Sequence, residues 1–229
     1  MKTQAAETSQ AEKKRRVAQA ALKWLPNGGY LGIGTGSTVN CFIEELASHK
    51  DRFEGVVATS EQSKQLLLKY GLRVVELNEV QDLPVYFDGA DEVNSLLQMI
   101  KGAGGALLAE KIVASVSRQF ICMVDDSKYV PRLGNVPVPV EVLPYARSMV
   151  SRKMVSLGGR PELRIGYVTE SGNQIIDVYG LELSEPLAME NQINEIPGVV
   201  ENGIFAKYPA HLLLIADDEK VELKRIGNL

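Results

Sequence analysis

The stretch Tyr30–His49 reads YLGIGTGSTVNCFIEELASH. Its first four residues are apolar or small, which suits a short buried strand. The glycines at 32, 34 and 36 suit a tight turn. From Val39 onward Val39, Phe42, Ile43 and Leu46 recur at helical spacing. Strand, glycine turn, helix is the opening of a βαβ unit, and the neighbouring sequence repeats the alternation. Downstream, strands are expected at Gly55–Ala58, Arg73–Leu77, Val85–Asp88 and Phe120–Val124, with helices at Glu61–Tyr70 and Ala106–Ser117 between them. Upstream, Val17, Ala20, Ala21, Trp24 and Leu25 lie on one face of a helix over Ala11–Leu25, ended by Pro26-Asn27-Gly28-Gly29. Right-handed crossovers then give a Rossmann-like, mostly parallel sheet, with ligands held beyond the carboxyl ends of its strands. GTGST, ATSEQS, DGADE and DDSK each follow a strand, so all four are expected on one rim.

The pattern changes after Leu133. Pro137–Pro144 (PVPVEVLP) is proline-punctuated and reads as a linker or edge segment. A helix over Ala146–Leu157, a strand near Leu163–Thr169, a turn at Ser171-Gly172-Asn173, a strand at Gln174–Tyr179 and a helix over Pro186–Ile196 form a small α+β module, ferredoxin-like in outline. The apolar His211–Asp218 is expected to return to the main sheet. The expected organisation is therefore an α/β catalytic domain of residues 1–134 plus 209–229, with 135–208 as an inserted α+β domain.

The 229 residues carry a formal net charge of −4 and a pI near 5.4. That balance leaves no electrostatic footprint for nucleic acid. The basic run Lys13–Arg16 has two readings, a nucleic-acid patch or the polar face of an amphipathic helix, and neighbouring Glu12 favours the helix. Two cysteines, Cys41 and Cys122, are too few for a disulfide framework. Two histidines, His49 and His211, leave no transition-metal constellation. The polar N-terminus has no apolar core of a secretory signal, and no apolar run nears the roughly 20 residues that span a bilayer. The expectation is a soluble, cytoplasmic protein.

The chemistry gathers in two stretches. In Gly32-Ile33-Gly34-Thr35-Gly36-Ser37-Thr38 the glycines let backbone N–H groups approach an anion, and the following helix adds its positive end. The same residues would also serve as a simple capped turn with no ligand. The spacing is neither G-x-G-x-x-G nor a P-loop. In Asp88–Ile112, DGADEVNSLLQMIKGAGGALLAEKI, the turn at Gly89-Ala90 would let Asp88 and Asp91 share proton-transfer work, although an Asp-rich turn can merely satisfy its own backbone. Lys101 precedes Gly102-Ala103-Gly104-Gly105, a turn able to present amides and an ammonium to a developing oxyanion. Glu110, flanked by apolar residues, would be a general base if desolvated and an ordinary surface Glu beside Lys111 if not. Asp125-Asp126-Ser127-Lys128 adds a cation to the rim, or is a solvated turn. Trp24, the cysteines and the methionines read as packing residues.

Taken together, GIGTGST, DGADEV, MIKGAGGALLAEKI, FICMVDDSK and VPVEVLPYAR resemble the A-type ribose-5-phosphate isomerase family, and LGGRPELR and AMENQINEIPGVV extend the resemblance through the chain. It implies interconversion of ribose 5-phosphate and ribulose 5-phosphate with no metal or other cofactor, and a homodimer or homotetramer with no nucleic-acid or membrane partner. Glu110 matches the family's base, and Lys101 with Gly102, Ala103 and Gly104 matches its substrate-binding turn. Asp88, Gly89, Ala90 and Asp91 match its DGAD segment, and Thr35, Gly36, Ser37 and Thr38 its TGST loop. Lys128 matches a substrate-contacting Lys, and Lys14 a further phosphate contact. The family often has K-G-G-G where this chain has Lys101-Gly102-Ala103-Gly104, and D-A-S-K where it has Asp125-Asp126-Ser127-Lys128. Two rival functions share the fold: a sugar-phosphate sensor without turnover, and a CoA-transferase-like enzyme with Glu110 as nucleophile.

Overall fold

The structure is a computed structural model that describes residues 2–226, with side chains from residue 10 onward. The chain divides into two compact units. The first comprises Met1–Ala90, Val113–Tyr129 and Ala210–Leu229; the second comprises Asp91–Ile112 and Val130–Pro209.

Unit 1 is built on β1 (Tyr30–Ile33), β2 (Gly55–Ala58) and β3 (Leu83–Asp88), joined later in the chain by β6 (Ser117–Asp125), β12 (Leu212–Ala216) and β13 (Val221–Arg225). Their order is β13-β12-β6-β3-β1-β2, parallel except for the terminal β12–β13 hairpin. All five residues of β12 are buried, as befits a strand covered on both faces. The expected return of His211–Asp218 to the main sheet is thus found, in register with β6 from Leu212↔Ile121 to Ala216↔Asp125. The helices α1 (Lys2–Ala21), α2 (Ser37–Leu46) and α3 (Glu61–Lys69) belong to the same unit. Phe42 of α2 stacks on Phe87 of β3 with ring centroids 4.6 Å apart. Each such fully buried side chain contributes about 1.5–3 kcal/mol.

Two expectations for this unit need correction. The helix before β1 begins at Lys2, not Ala11, and ends in a 3-10 turn at Leu22–Trp24. The strand expected at Arg73–Leu77 is a single parallel bridge, Val56↔Val74. The bonds Val56 N–H to Arg73 O and Val75 N–H to Val56 O are made there, but a 3-10 turn at Leu77–Glu79 takes the chain away before a ladder can extend. The basic run Lys13–Arg16 belongs to the amphipathic-helix reading: Lys13 bridges Asp126 and Asp218 at 2.9 and 3.0 Å, and Arg16 donates to the Asp217 carbonyl.

In unit 2, β7 (Val138–Val142), α5 (Arg147–Ser156), β8 (Arg160–Leu163), β9 (Gln174–Tyr179), α6 (Pro186–Asn194) and β10 (Val199–Asn202) follow one another. The sheet order is β10-β7-β9-β8, antiparallel throughout. A βαββαβ chain in that order is the ferredoxin-like arrangement. A second, three-stranded sheet joins β4 (Glu92–Val93), β5 (Met99–Ile100) and β11 (Ile204–Phe205). The helix α4 (Leu107–Val116) begins in this unit and runs into the first.

The proline-rich segment read as a linker or edge is instead β7, interior to its sheet and buried at all five positions. Its proline is tolerated because of where it falls. Pro139 lies one residue beyond the last β7–β10 pair, Val140↔Asn202. Its carbonyl accepts the Gly203 N–H at 2.8 Å, so the missing N–H is on the side where β10 has ended. The strand expected at Leu163–Thr169 lies earlier, at Arg160–Leu163. The chain from Arg164 to Asn173 is a long hairpin loop, pinned by Glu141, which accepts Thr169 Oγ1 at 2.8 Å and Asn173 Nδ2 at 2.9 Å.

Candidate active site

In unit 1 the chain leaves β1 toward β2 on one side, while β3 flanks β1 on the other. That reversal is a topological switch point, and crevices form at the carboxyl ends of the two strands. The loops after β1, β2, β3 and β6 all leave from this edge. Asp88, the last residue of β3, is fully buried. Its Oδ1 accepts the N–H groups of Thr35 at 3.2 Å and Gly89 at 2.7 Å, and its Oδ2 accepts the Tyr86 hydroxyl. A Cβ on Gly34 would sit 1.9 Å from the Asp88 Cγ, so the loop and the carboxylate approach this closely only with glycine at 34. The loop is propped from the β2 side: Ser60 Oγ donates to Thr35 Oγ1 at 2.8 Å, and Ser63 Oγ to the Gly34 carbonyl at 2.7 Å.

Gly36, at φ +110°, is the N-cap of α2, and no side chain caps the helix. Ser37 and Thr38 occupy its first turn. The alternative of a side-chain-capped turn is therefore not what is found; the helix end is left to backbone amides, which attract an anion. Lys128 ends the 3-10 turn Asp126–Lys128 that follows β6, where buried Asp125 accepts the Ser127 N–H at 3.1 Å. Lys14 is half-buried on α1 and acts through its charge on the Cys41 thiol of α2. Burial and the nearby Glu44 push that thiol up, and the charges of Arg15 and Lys14 partly offset them.

In unit 2, Lys101 Nζ lies 3.2 Å from Glu110 Oε2, and each side chain is 3% exposed. Glu110 is therefore the desolvated carboxylate and not the surface one. An ammonium and a carboxylate this deep are tolerated because each compensates the other. Lys101 also faces the Phe205 ring at 5.6 Å. The turn after Lys101 takes left-handed conformations at Gly102 (φ +104°) and Gly105 (φ +83°), and not at Ala103 or Gly104. The Ala at 103, where the family often has Gly, thus meets no backbone constraint. Its N–H donates to Asp91 Oδ2 at 2.9 Å. The structure thereby brings Asp91 to the glycine turn, Lys101 to Glu110, and Asp88 to Thr35.

The sequence reading missed Lys111. It is buried, and its Nζ is enclosed by Glu190 and Glu201 Oε1, both at 2.8 Å, and by the Asn202 and Ile204 carbonyls, both at 2.7 Å. Glu190 spends its other oxygen on the Ala206 and Lys207 N–H groups, at 2.9 and 2.8 Å. The only sequence signal was the adjacency of Glu110 and Lys111 in an otherwise apolar helix. Among the described residues no group of three or more His, Cys, Asp or Glu side chains is placed to hold a metal ion, and no helix is long and apolar enough to cross a membrane.

Buried acid–base side chains and backbone amides positioned by glycines are the equipment of an enzyme that shifts protons on a small molecule. Comparison with known proteins makes the class specific. The family model for ribose 5-phosphate isomerase A (phosphoriboisomerase A) matches residues 55–220. A ribose-5-phosphate isomerase A of Neisseria meningitidis serogroup C is 57% identical over 212 residues, 93% of this chain and 95% of that protein. The crystal structure of ribose 5 phosphate isomerase A from Neisseria gonorrhoeae superposes with a TM-score of 0.93 at 55% identity, covering 94% of this chain and 97% of that one. The isomerase a from Methanocaldococcus jannaschii gives 0.89 at 37% identity, over 93% and 98%. The chain belongs to the ribose 5-phosphate isomerase A family.

Proposed function

We propose that this chain interconverts D-ribose 5-phosphate and D-ribulose 5-phosphate through an enediolate, with Glu110 as the base. The observation that carries the assignment is the buried Lys101–Glu110 pair at 3.2 Å. Glu110 removes the proton from C2 of the open-chain aldose and returns it to C1 of the enediolate. Lys101 and the amides of Gly102 and Gly104 stabilise the negative charge that develops on the enediolate oxygens. Asp88 and Asp91 serve ring opening and the proton movements between the O1 and O2 hydroxyls; Gly89 and Ala90 shape the backbone between them. Thr35, Gly36, Ser37 and Thr38, with Lys128 and Lys14, hold the phosphate, supported by the uncapped N-terminus of α2. Phosphate binding supplies the remote energy that orients the reacting end.

All of these residues fall within 1–134, which we take with 209–229 as the catalytic domain, leaving 135–208 as the small domain. A polar sugar-phosphate substrate and an acidic chain suit a cytoplasmic enzyme working as a homodimer or homotetramer, without nucleic acid or membrane. The test is isomerisation of ribose 5-phosphate by purified protein in excess chelator, with Glu110→Gln alongside. Turnover that survives chelator and collapses in the variant is the expected result. Wild-type protein that binds the sugar phosphate without turning it over would put the sensor function in its place.

A further inference from the structure

The outer face of the glycine turn is occupied by the 164–173 hairpin loop. Arg164 Nη1 donates to the Ala103 carbonyl at 3.1 Å and reaches the Gly102 carbonyl at 3.4 Å. Tyr167 Oη donates to the next carbonyl, Gly104, at 3.1 Å. Three successive carbonyls of one turn are thus held by two side chains from a segment some sixty residues away. The guanidinium is itself fixed, its Nε donating to Asp177 Oδ2 at 2.9 Å and its Nη2 to Oδ1. It also lies over the Tyr167 ring at 5.4 Å. Burial pushes the Tyr167 hydroxyl above its ordinary value, so it remains a donor through neutral pH.

In a trans peptide the C=O and N–H point opposite ways. Holding the Ala103 carbonyl toward the hairpin therefore turns the Gly104 N–H to the other face. The Ala103 amide is engaged by Asp91 and the Gly105 amide by the Gly102 carbonyl. Among the described residues the Gly102 and Gly104 amides have no acceptor. We propose that Arg164, braced by Asp177 and Tyr167, is a positioning residue that orients the Gly104 amide toward the enediolate oxygen. Arg164 touches no reacting atom; it acts through the backbone of the turn, and its charge is balanced by Asp177. This inference rests on the isomerase reading above.

The experiment compares Arg164→Ala, Arg164→Lys and Tyr167→Phe with wild type, measuring kcat and KM for ribose 5-phosphate and the thermal unfolding midpoint. Loss of one oriented oxyanion donor costs about 10²–10³ in kcat, and a donor left in place but loosened should cost about 10–100-fold. In Arg164→Ala, kcat and kcat/KM should fall together by that factor with KM within about two-fold, the signature of an interaction made only in the transition state. Added guanidinium ion should restore part of the rate to Arg164→Ala. Arg164→Lys, a point charge without the fork, should recover little. Tyr167→Phe should show the same split at smaller amplitude, which keeps a test in hand if Arg164→Ala unfolds. An unchanged kcat, a rise in KM alone, or a rate loss that tracks the unfolding midpoint without guanidinium rescue would overturn the role of Arg164. Wild-type protein inactive in the same assay would instead overturn the isomerase reading.

Discussion

The two carboxylates at the centre of the proposed chemistry are held in different ways. Asp88, in unit 1, has its charge met by donors: two backbone N–H groups and the Tyr86 hydroxyl. Glu110, in unit 2, faces a full countercharge, the buried Lys101 ammonium. The first arrangement is a steric mould that tolerates no added atom at Gly34. The second is an electrostatic balance, repeated one residue along the helix, where Lys111 is enclosed by Glu190 and Glu201. A mould should fail by overpacking, and a balance by leaving a charge alone.

The largest effect is expected at Glu110. Removing its base function in Glu110→Gln should lower kcat by up to about 10⁴-fold, roughly 5.5 kcal/mol in the barrier, read by single-turnover kinetics. Next is Lys111→Met, which strands Glu190 and Glu201 without their cation and should cost about 3–5 kcal/mol of folding stability. A shift of the urea midpoint worth less than about 1 kcal/mol would show that the second network is dispensable. Gly34→Ala forces a methyl into the Asp88 carboxylate and should cost about 1–3 kcal/mol as loop and strand move apart; denaturant midpoint and kcat/KM should fall together. The smallest effect belongs to Ala103→Gly. Position 103 needs no left-handed backbone, so kcat/KM should barely move and stability should fall by about 0.4–1 kcal/mol, through greater freedom of the unfolded chain. A large loss of activity there would show that the turn depends on the alanine side chain.

The parallel strands were legible because each has an apolar run followed by a glycine or polar turn, and β1 and β2 have the bounds read from sequence. The sheet's end strand β13 (VELKR), mostly exposed, has no such run and was not read. The second unit was less so. In Pro137–Pro144 three prolines suggested a linker or edge, and only the pairing partner shows that β10 stops where Pro139 would have had to donate an N–H. The short strands β4, β5 and β11 have two residues each, too few for a period to show. Within the candidate site, local motifs carried the reading: glycines, paired Asp residues, and Lys and Glu in sequence reach of one another. Lys111 and Arg164 escaped it because their meaning lies in partners dozens of residues away, and nothing in EKI or LRI distinguishes a buried clamp from a solvated cation.

The broken order of the first unit also bears on synthesis. The last parallel strand, β12, is translated about 90 residues after β6, the strand it must pair with. At about 5–20 residues per second a ribosome takes roughly 4–18 s to cover that gap. For that interval the side of β6 that later pairs with β12 has no strand beside it, although β3 covers the other, and such an edge is a template for another chain. That open edge persists while the ferredoxin-like module is being made, and slow codons between β6 and β12 would lengthen its exposure.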